Sequence, residues 1–311
     1  MKFQMVMYSF MTLLGSSQSL VQHYQQQYQQ QRPFHVSHSM EDLENDDFQP
    51  MEIKEESFDP FAPFTDPSTL NSTMTAGKRI FTFYNNCSNA IFIGALAAPG
   101  QYLPENGGFQ INKSKKVSIS MPTTYTWSGR FWARTGCSFP GNCDLPGDCG
   151  PKPNVQCGGI GGQPSTLAEF TLDINGKSDF YDVSLVDGYN VPITITPVSG
   201  TYNGKPDGAY QCTTAGKCVH DVIQQCDPKM KMYNKAGTKP VGCLSACSYY
   251  KTEQYCCSNT PSNQCKAGPI QDAVKKACPG AYSYAYDDHK STFTCQGTIS
   301  YDLTFCAPFF K

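Results

Sequence analysis

The sequence predicts a mainly β protein: an antiparallel β-sandwich or flattened barrel, with a disulfide-rich helical lobe and a small looped lobe beside it. Three observations carry this expectation. Short segments with period-2 alternation recur from residue 79 onward, separated by Gly, Pro and Asn turns. Helical patterning is confined to Cys212–Cys278. All 16 cysteines lie between Cys87 and Cys306, an even number that suits a disulfide framework and an oxidising compartment.

The elements follow in chain order. Arg79–Tyr84 alternates, with Phe81 and Phe83 on one face and Ile80 and Thr82 on the other. Ala90–Ala97 is an apolar run that reads as a buried strand. Lys116–Ser120 sets Val117 and Ile119 against lysine and serines, and Arg130, Trp132 and Arg134 share one strand face. Thr166–Ile174 places Ala168, Phe170, Leu172 and Ile174 on one face, with Leu167, Glu169, Thr171 and Asp173 on the other. Asp179–Val186 alternates Tyr181, Val183 and Leu185 against Asp182, Ser184 and Val186, and Asp187-Gly188 follows as a turn. Val191–Pro197 and Gly297–Phe305 complete the strands. Cys243–Tyr250 and Ile270–Ala277 are the expected helices, the second introduced by Pro269. The sandwich is thus expected over about 79–211 and 290–311, and the disulfide-rich lobe over about 212–289. The looped region is 135–164, where Gly and Pro accompany four cysteines.

The first 76 residues carry no cysteine and read differently. Met1–Ser19 has the pattern of a signal peptide: Lys2, the apolar run Val6–Gly15, then small residues at candidate cleavage positions. The run is too short to span a bilayer. Residues 20–76 are expected to be a disordered acidic extension, with a glutamine tract at Gln25–Gln31 and alternating aromatics and prolines at Phe58–Phe64. Ten acidic residues face two basic ones in this stretch, whereas sixteen acidic face twenty-one basic from Gly77 onward. An acidic leader therefore precedes a basic domain. The plain reading of the leader is a solvated linker; the sharper one is a removable pro-segment that folds back on the domain. Asn71 and Asn112 head glycosylation sequons, usable if the chain is secreted.

Several function classes find no support. The basic excess is too thin, spread over the whole domain, to argue for nucleic acid. No C-x-x-C occurs, and only His220 and His289 lie among the cysteines, so neither a metal site nor any cofactor is expected. There is no G-x-S-x-G, and Gly158, Gly159, Gly161 and Gly162 read as a loop rather than a nucleotide cradle. No amphipathic helix of the lytic kind supports membrane permeabilisation.

Longer motifs carry a resemblance. Arg130 through Cys137, Thr166 through Phe170, Asp179 through Pro192, Tyr255-Cys256-Cys257 and Cys278 through Tyr284 resemble segments of the thaumatin-like proteins, and all 16 cysteines fall in that family's order. The resemblance covers 79–310 and not the leader. It implies a pairing that spacing alone leaves open: Cys87–Cys306, Cys137–Cys143, Cys149–Cys157, Cys212–Cys295, Cys218–Cys278, Cys226–Cys243, Cys247–Cys256 and Cys257–Cys265. One departure stands out. The family's C-x-T-G-D-C core reads here Cys143-Asp144-Leu145-Pro146-Gly147-Asp148-Cys149, one residue longer, and Gly150–Gln156 is also long.

The residues themselves offer a candidate site. Glu169 and Asp182 fall opposite apolar side chains in their alternations, so both should leave the core, and Asp187 opens a turn. Each acid by itself reads equally as a solvated strand residue or a turn cap. The resemblance implies more: an acidic cleft lined by Arg130, Glu169, Asp182, Asp187 and Asp288, with Asp287 the lesser choice for the last. Ionised carboxylates accept strongly from sugar hydroxyls, and aromatics such as Tyr181, Tyr189 and Tyr284 are near in sequence for stacking on sugar faces. Clustered acids also raise one another's pKa, which a general acid needs. The expectation is therefore a secreted, extracellular, monomeric, defence-related protein binding β-1,3-glucan or a related cell-wall polysaccharide. The alternative is a weak endo-β-1,3-glucanase with Glu169 as acid and Asp187 as second carboxylate. A membrane-permeabilising or non-sugar-binding extracellular protein is the remaining alternative.

Overall fold

Strand alternation dictates two facing sheets, because each alternating segment must bury one face. In a computed structural model of the chain, residues 54–58 and 78–310 are described, apart from loop stretches at 139–142, 145, 150–155, 159–161, 163, 174–177 and 204. The signal-peptide segment, most of the 20–76 extension and Asn71 lie outside the described residues.

The strands in chain order are β1 (Glu55–Ser57), β2 (Arg79–Asn85), β3 (Ile91–Ala97), β4 (Gly108–Ile111), β5 (Lys115–Met121), β6 (Trp127–Arg134) and β7 (Leu167–Leu172). They continue with β8 (Asp179–Ser184), β9 (Gly188–Tyr189), β10 (Ile193–Pro197), β11 (Lys231–Tyr233), β12 (Pro240–Leu244), β13 (Phe293–Cys295) and β14 (Tyr301–Phe305). One sheet has the order β1-β5-β2-β14-β10 and the other β13-β8-β7-β6-β3-β4; a small third sheet, β11-β12-β9, belongs to the disulfide-rich lobe. All pairings are antiparallel except β14 with β2.

The alternation places an aromatic core between the two large sheets. Phe81, Phe83, Phe131 and Tyr301 are completely buried, with Phe170 beside them. The Phe81 ring lies 4.7 Å from Phe170 and 5.3 Å from Tyr301, spacings at which aromatic pairs add to plain burial. At one end the Arg79 guanidinium donates to Asp179 at 2.6 Å with both side chains sealed from solvent, and the Tyr301 hydroxyl also donates to Asp179. Burial still raises the Asp179 carboxyl to about 6, against the opposing pull of Arg79.

Part of the outer face of the six-stranded sheet is covered. Trp132 and Leu167 are buried there with Cys149 and Cys157, and the Trp132 indole donates to the Gly147 carbonyl at 2.8 Å. Arg134 is fully buried beneath the looped region; it donates to Asp148 at 3.1 Å and sits over the Phe92 ring. These contacts give Gly147-Asp148-Cys149 a structural reason within the lengthened loop.

The described disulfides are the eight pairs the resemblance implies. Three helices occur in the lobe: α1 (Ala246–Tyr250), α2 (Glu253–Cys256) and α3 (Pro269–Ala277). The helix expected from Cys243 starts later. Cys243 belongs to β12, where it pairs with Tyr189 and Lys231, and Ser245 caps α1 by accepting the Ser248 N–H at 3.0 Å. The expectation of disorder across 20–76 also needs correction at 54–58. There β1 pairs with β5 in the register Glu55↔Val117, Glu56↔Lys116 and Ser57↔Lys115.

Candidate functional site

Strand register assembles the first part of the site. Arg130 on β6 lies opposite Glu169 on β7, and Glu169 lies opposite Asp182 on β8. Alternation points all three to the outer face of the six-stranded sheet, so a guanidinium and two carboxyls form one row across three strands. Arg130 Nη1 is 3.9 Å from Glu169 Oε1.

Two further acids come from beyond the strands. Asp187 sits in the turn after β8. Gly188 holds that turn with φ at +126°, and a Cβ there would meet Pro164 at 2.3 Å, so only glycine fits. The next residues pair with β12, and the Ser248 hydroxyl of α1 donates to the Asp187 carbonyl at 3.0 Å. The lobe thus fixes the backbone that carries Asp187. Asp288 is delivered by the segment after Cys278. Tyr282 runs alongside the end of β8: its N–H donates to Val183, and its carbonyl accepts from Leu185. Its hydroxyl donates to Asp288 Oδ1 at 2.7 Å and shares a short hydrogen bond with Thr292. Asp287 is occupied elsewhere, by Lys275 at 2.8 Å and by the Ser283 N–H and hydroxyl.

The electrostatics join these groups into one cluster. Burial pushes Glu169 up to about 7; Arg130 pulls it down and the charge of Asp187 pushes it further up. Asp182 is raised well above the usual carboxylate range, chiefly by burial, then by Glu169 and Asp288. Asp187 is raised by burial against the pull of Arg130. One guanidinium serves Glu169, Asp182 and Asp187, so these three carboxyls do not all ionise together near neutral pH. A protonated carboxyl among ionised ones offers both donors and acceptors, which a polyhydroxylated ligand can use.

Two expectations about this region change. Asp182 does not face solvent; the Tyr282 segment covers it and leaves it 3% exposed. Tyr181 and Tyr189 belong to the core, at 0% and 2% exposure, and cannot stack on a sugar; Tyr181 donates instead to the Thr213 carbonyl. Tyr284 is half-buried. Sequence reasoning gave Tyr282 no role, although it orients Asp288. The available signal was its place in the Cys278–Tyr284 motif, which says nothing about where the hydroxyl goes. A cavity of about 750 Å³ lies elsewhere, lined by Asn89, Asp144, Asn190, Asp221, Lys231 and Phe309 among others, and includes none of the five cluster residues. Among the described residues no group of His, Cys, Asp and Glu is arranged to hold a metal ion.

Comparison with known proteins now decides the family. The model of the Thaumatin family matches residues 85–307. This chain belongs to the thaumatin family. Pathogenesis-related protein 5 of Arabidopsis thaliana is 44% identical over 232 residues, covering 73% of this chain and 89% of that protein. Pathogenesis-related thaumatin-like protein 3.5 of Cryptomeria japonica is 42% identical, with coverage of 76% and 93%. Glucan endo-1,3-beta-glucosidase of Prunus avium is 40% identical, with coverage of 76% and 94%. Outside the matched region lie residues 1–84, which include the leader and most of β2, and residues 308–311.

Proposed function

We propose that this thaumatin-family protein is secreted and acts in defence against fungi, as a monomer, by binding β-1,3-glucan or a closely related cell-wall polysaccharide at the cluster of Arg130, Glu169, Asp182, Asp187 and Asp288. The observation that carries the reading is the cross-strand row Arg130–Glu169–Asp182, coupled electrostatically to Asp187 and Asp288. Charge-assisted hydrogen bonds from sugar hydroxyls to carboxylates are about twice as strong as neutral ones. The name of the Prunus avium relative supports the choice of β-1,3-linked glucan. The eight disulfides suit an oxidising, extracellular setting.

A second reading, weak endo-hydrolysis, is favoured by one specific observation. Glu169 is raised to about 7, so it holds a proton at mildly acidic pH and can give it to a glycosidic oxygen. Asp187 would then serve as the second carboxylate. Sedimentation with insoluble β-1,3-glucan and a reducing-sugar assay separate the two readings. Under the binding reading the protein sediments with the glucan and releases no sugar. Under the hydrolytic reading wild type releases sugar, and Glu169→Gln abolishes release while keeping retention within a few-fold. A wild-type protein that stays in the supernatant overturns both.

A further inference from the structure

The β5 edge of the five-stranded sheet is closed by a piece of the acidic leader. Without β1, β5 would end the sheet and present unpaired backbone groups, a template for pairing with another strand. Glu55–Ser57 fills that place antiparallel, and its side chains are exposed throughout. One ion pair and one charge-assisted hydrogen bond join its side chains to β5. Glu56 meets Lys116 at 2.9 Å, and Lys115 donates to the Ser57 hydroxyl at 2.6 Å. The Phe58 N–H donates to the Ser114 carbonyl, and its ring meets Tyr84 edge-on at 5.2 Å.

The anchor of this clasp is Glu55. One carboxylate oxygen accepts the Asn112 backbone N–H, and the other accepts the Asn112 side-chain Nδ2, each at 2.9 Å. Asn112-Lys113-Ser114 is also a glycosylation sequon, and Nδ2 is the atom that N-glycosylation modifies. The same nitrogen therefore holds Glu55 and is the attachment point of the glycan, so the sugar ring and the Glu55 carboxylate compete for the space around it. We infer that docking of Lys54–Phe58 on β5 and N-glycosylation of Asn112 exclude each other, so that the glycan acts as a release for the clasp.

The modification joins the anomeric carbon of a lipid-diphosphate-linked oligosaccharide to Nδ2. The bond from that carbon to the diphosphate oxygen breaks, the amide loses one proton, and the lipid diphosphate leaves. The attached sugar ring then fills the space beside Nδ2 that the Glu55 carboxylate occupies. Loss of the Glu55 contacts leaves a three-residue ladder, the Glu56–Lys116 ion pair, the Lys115–Ser57 hydrogen bond and the Phe58 contacts, all near the surface, where ion pairs contribute little on their own. The clasp is independent of the acid cluster, so this inference stands or falls separately from glucan binding.

The test expresses the full chain through the secretory pathway of a glycosylating host and reads hydrogen exchange at 54–58 together with the mass of the Asn112 peptide. Ser114→Gly removes the sequon and keeps the carbonyl that Phe58 uses; Ser114 has φ of +57°, which glycine adopts freely. Wild-type sequence made with lipid-linked oligosaccharide synthesis inhibited gives a second unmodified form. The expected result is a glycan on Asn112 in wild type, with 54–58 exchanging at least tenfold faster than in either unmodified form. Glu55→Lys/Glu56→Lys in the Ser114→Gly background should restore fast exchange by charge reversal against Lys115 and Lys116. Equal protection with and without the glycan, an unmodified Asn112 in uninhibited wild type, or fast exchange in the unmodified forms would each overturn the inference.

Discussion

The β-sandwich and the disulfide-rich lobe are stabilised by different means, and the acid cluster lies where they meet. The sandwich has long paired strands and a continuous aromatic core of Phe81, Phe83, Phe131, Phe170 and Tyr301. The lobe has helices of 5, 4 and 9 residues, all too short to persist alone. Its small apolar set, Val222, Met230, Val274 and Ala277, joins the main core through residues that include Cys226, Cys243 and Cys278. Four bridges close within it, and Cys212–Cys295 ties it to the sandwich. The lesson is a division of labour. Rigid register sets the Arg130–Glu169–Asp182 row, while crosslinked loops bring Asp288 and hold the Asp187 backbone.

This contrast predicts an asymmetry: damage to the sandwich takes the lobe with it, but damage to the lobe spares the sandwich. The largest effect belongs to Phe81→Ala. It removes a fully buried ring that touches three other aromatics, and phenylalanine truncation in a core costs about 3–5 kcal/mol. Denaturant unfolding should show this loss, and hydrogen exchange should show protection falling in both parts. Protection that falls in the sandwich alone would mean the lobe stands by itself.

The reverse experiment removes one lobe bridge with Cys226→Ala/Cys243→Ala. Their separation of 17 residues corresponds to about 3 kcal/mol in the chain-entropy account. Amides of 226–244 should lose protection, whereas those of β2, β6 and β7 keep theirs. Because Cys243 pairs with Tyr189 just after Asp187, glucan retention should also weaken. An equal loss across the sandwich would erase the distinction between the two parts.

The same division explains what the sequence made legible. Alternation in Arg79–Tyr84 and Thr166–Ile174 located β2 and β7 and their core faces, because a period of two has one meaning on a pleated sheet. It misjudged Asp182, since alternation tells which face a side chain takes and not what covers that face. The Tyr282 segment that covers Asp182 arrives about 100 residues later in the chain, held by bridges whose pairing no local pattern encodes. Tyr181 and Tyr189 failed as cleft aromatics for a related reason: nearness in sequence to an acid on a strand often means the opposite face. The clasp at 54–58 was invisible because three exposed residues in an acidic, aperiodic stretch carry no strand signal; their order depends on Lys115, Lys116 and Asn112.

The smallest predicted effect is the one that sharpens the comparison most, because it asks what the assembled acids cost the fold. Burial raises Glu169 from an ordinary 4.5 to about 7, so the folded protein keeps a proton that the unfolded chain releases between those values. The contribution of this group to stability is therefore fully present below about pH 4.5 and is lost as pH rises through 7. Glu169→Gln mimics the protonated form at every pH. The variant should match wild type near pH 4 and exceed it at pH 8 by roughly 1–3 kcal/mol, from the free energy carried by a pKa shift of this size. Paired urea titrations at the two pH values provide the measurement. A variant less stable than wild type at pH 8 would show that the Arg130 contact outweighs burial, and the row would then count as a structural ion pair of the sandwich rather than a strained cluster completed by the lobe.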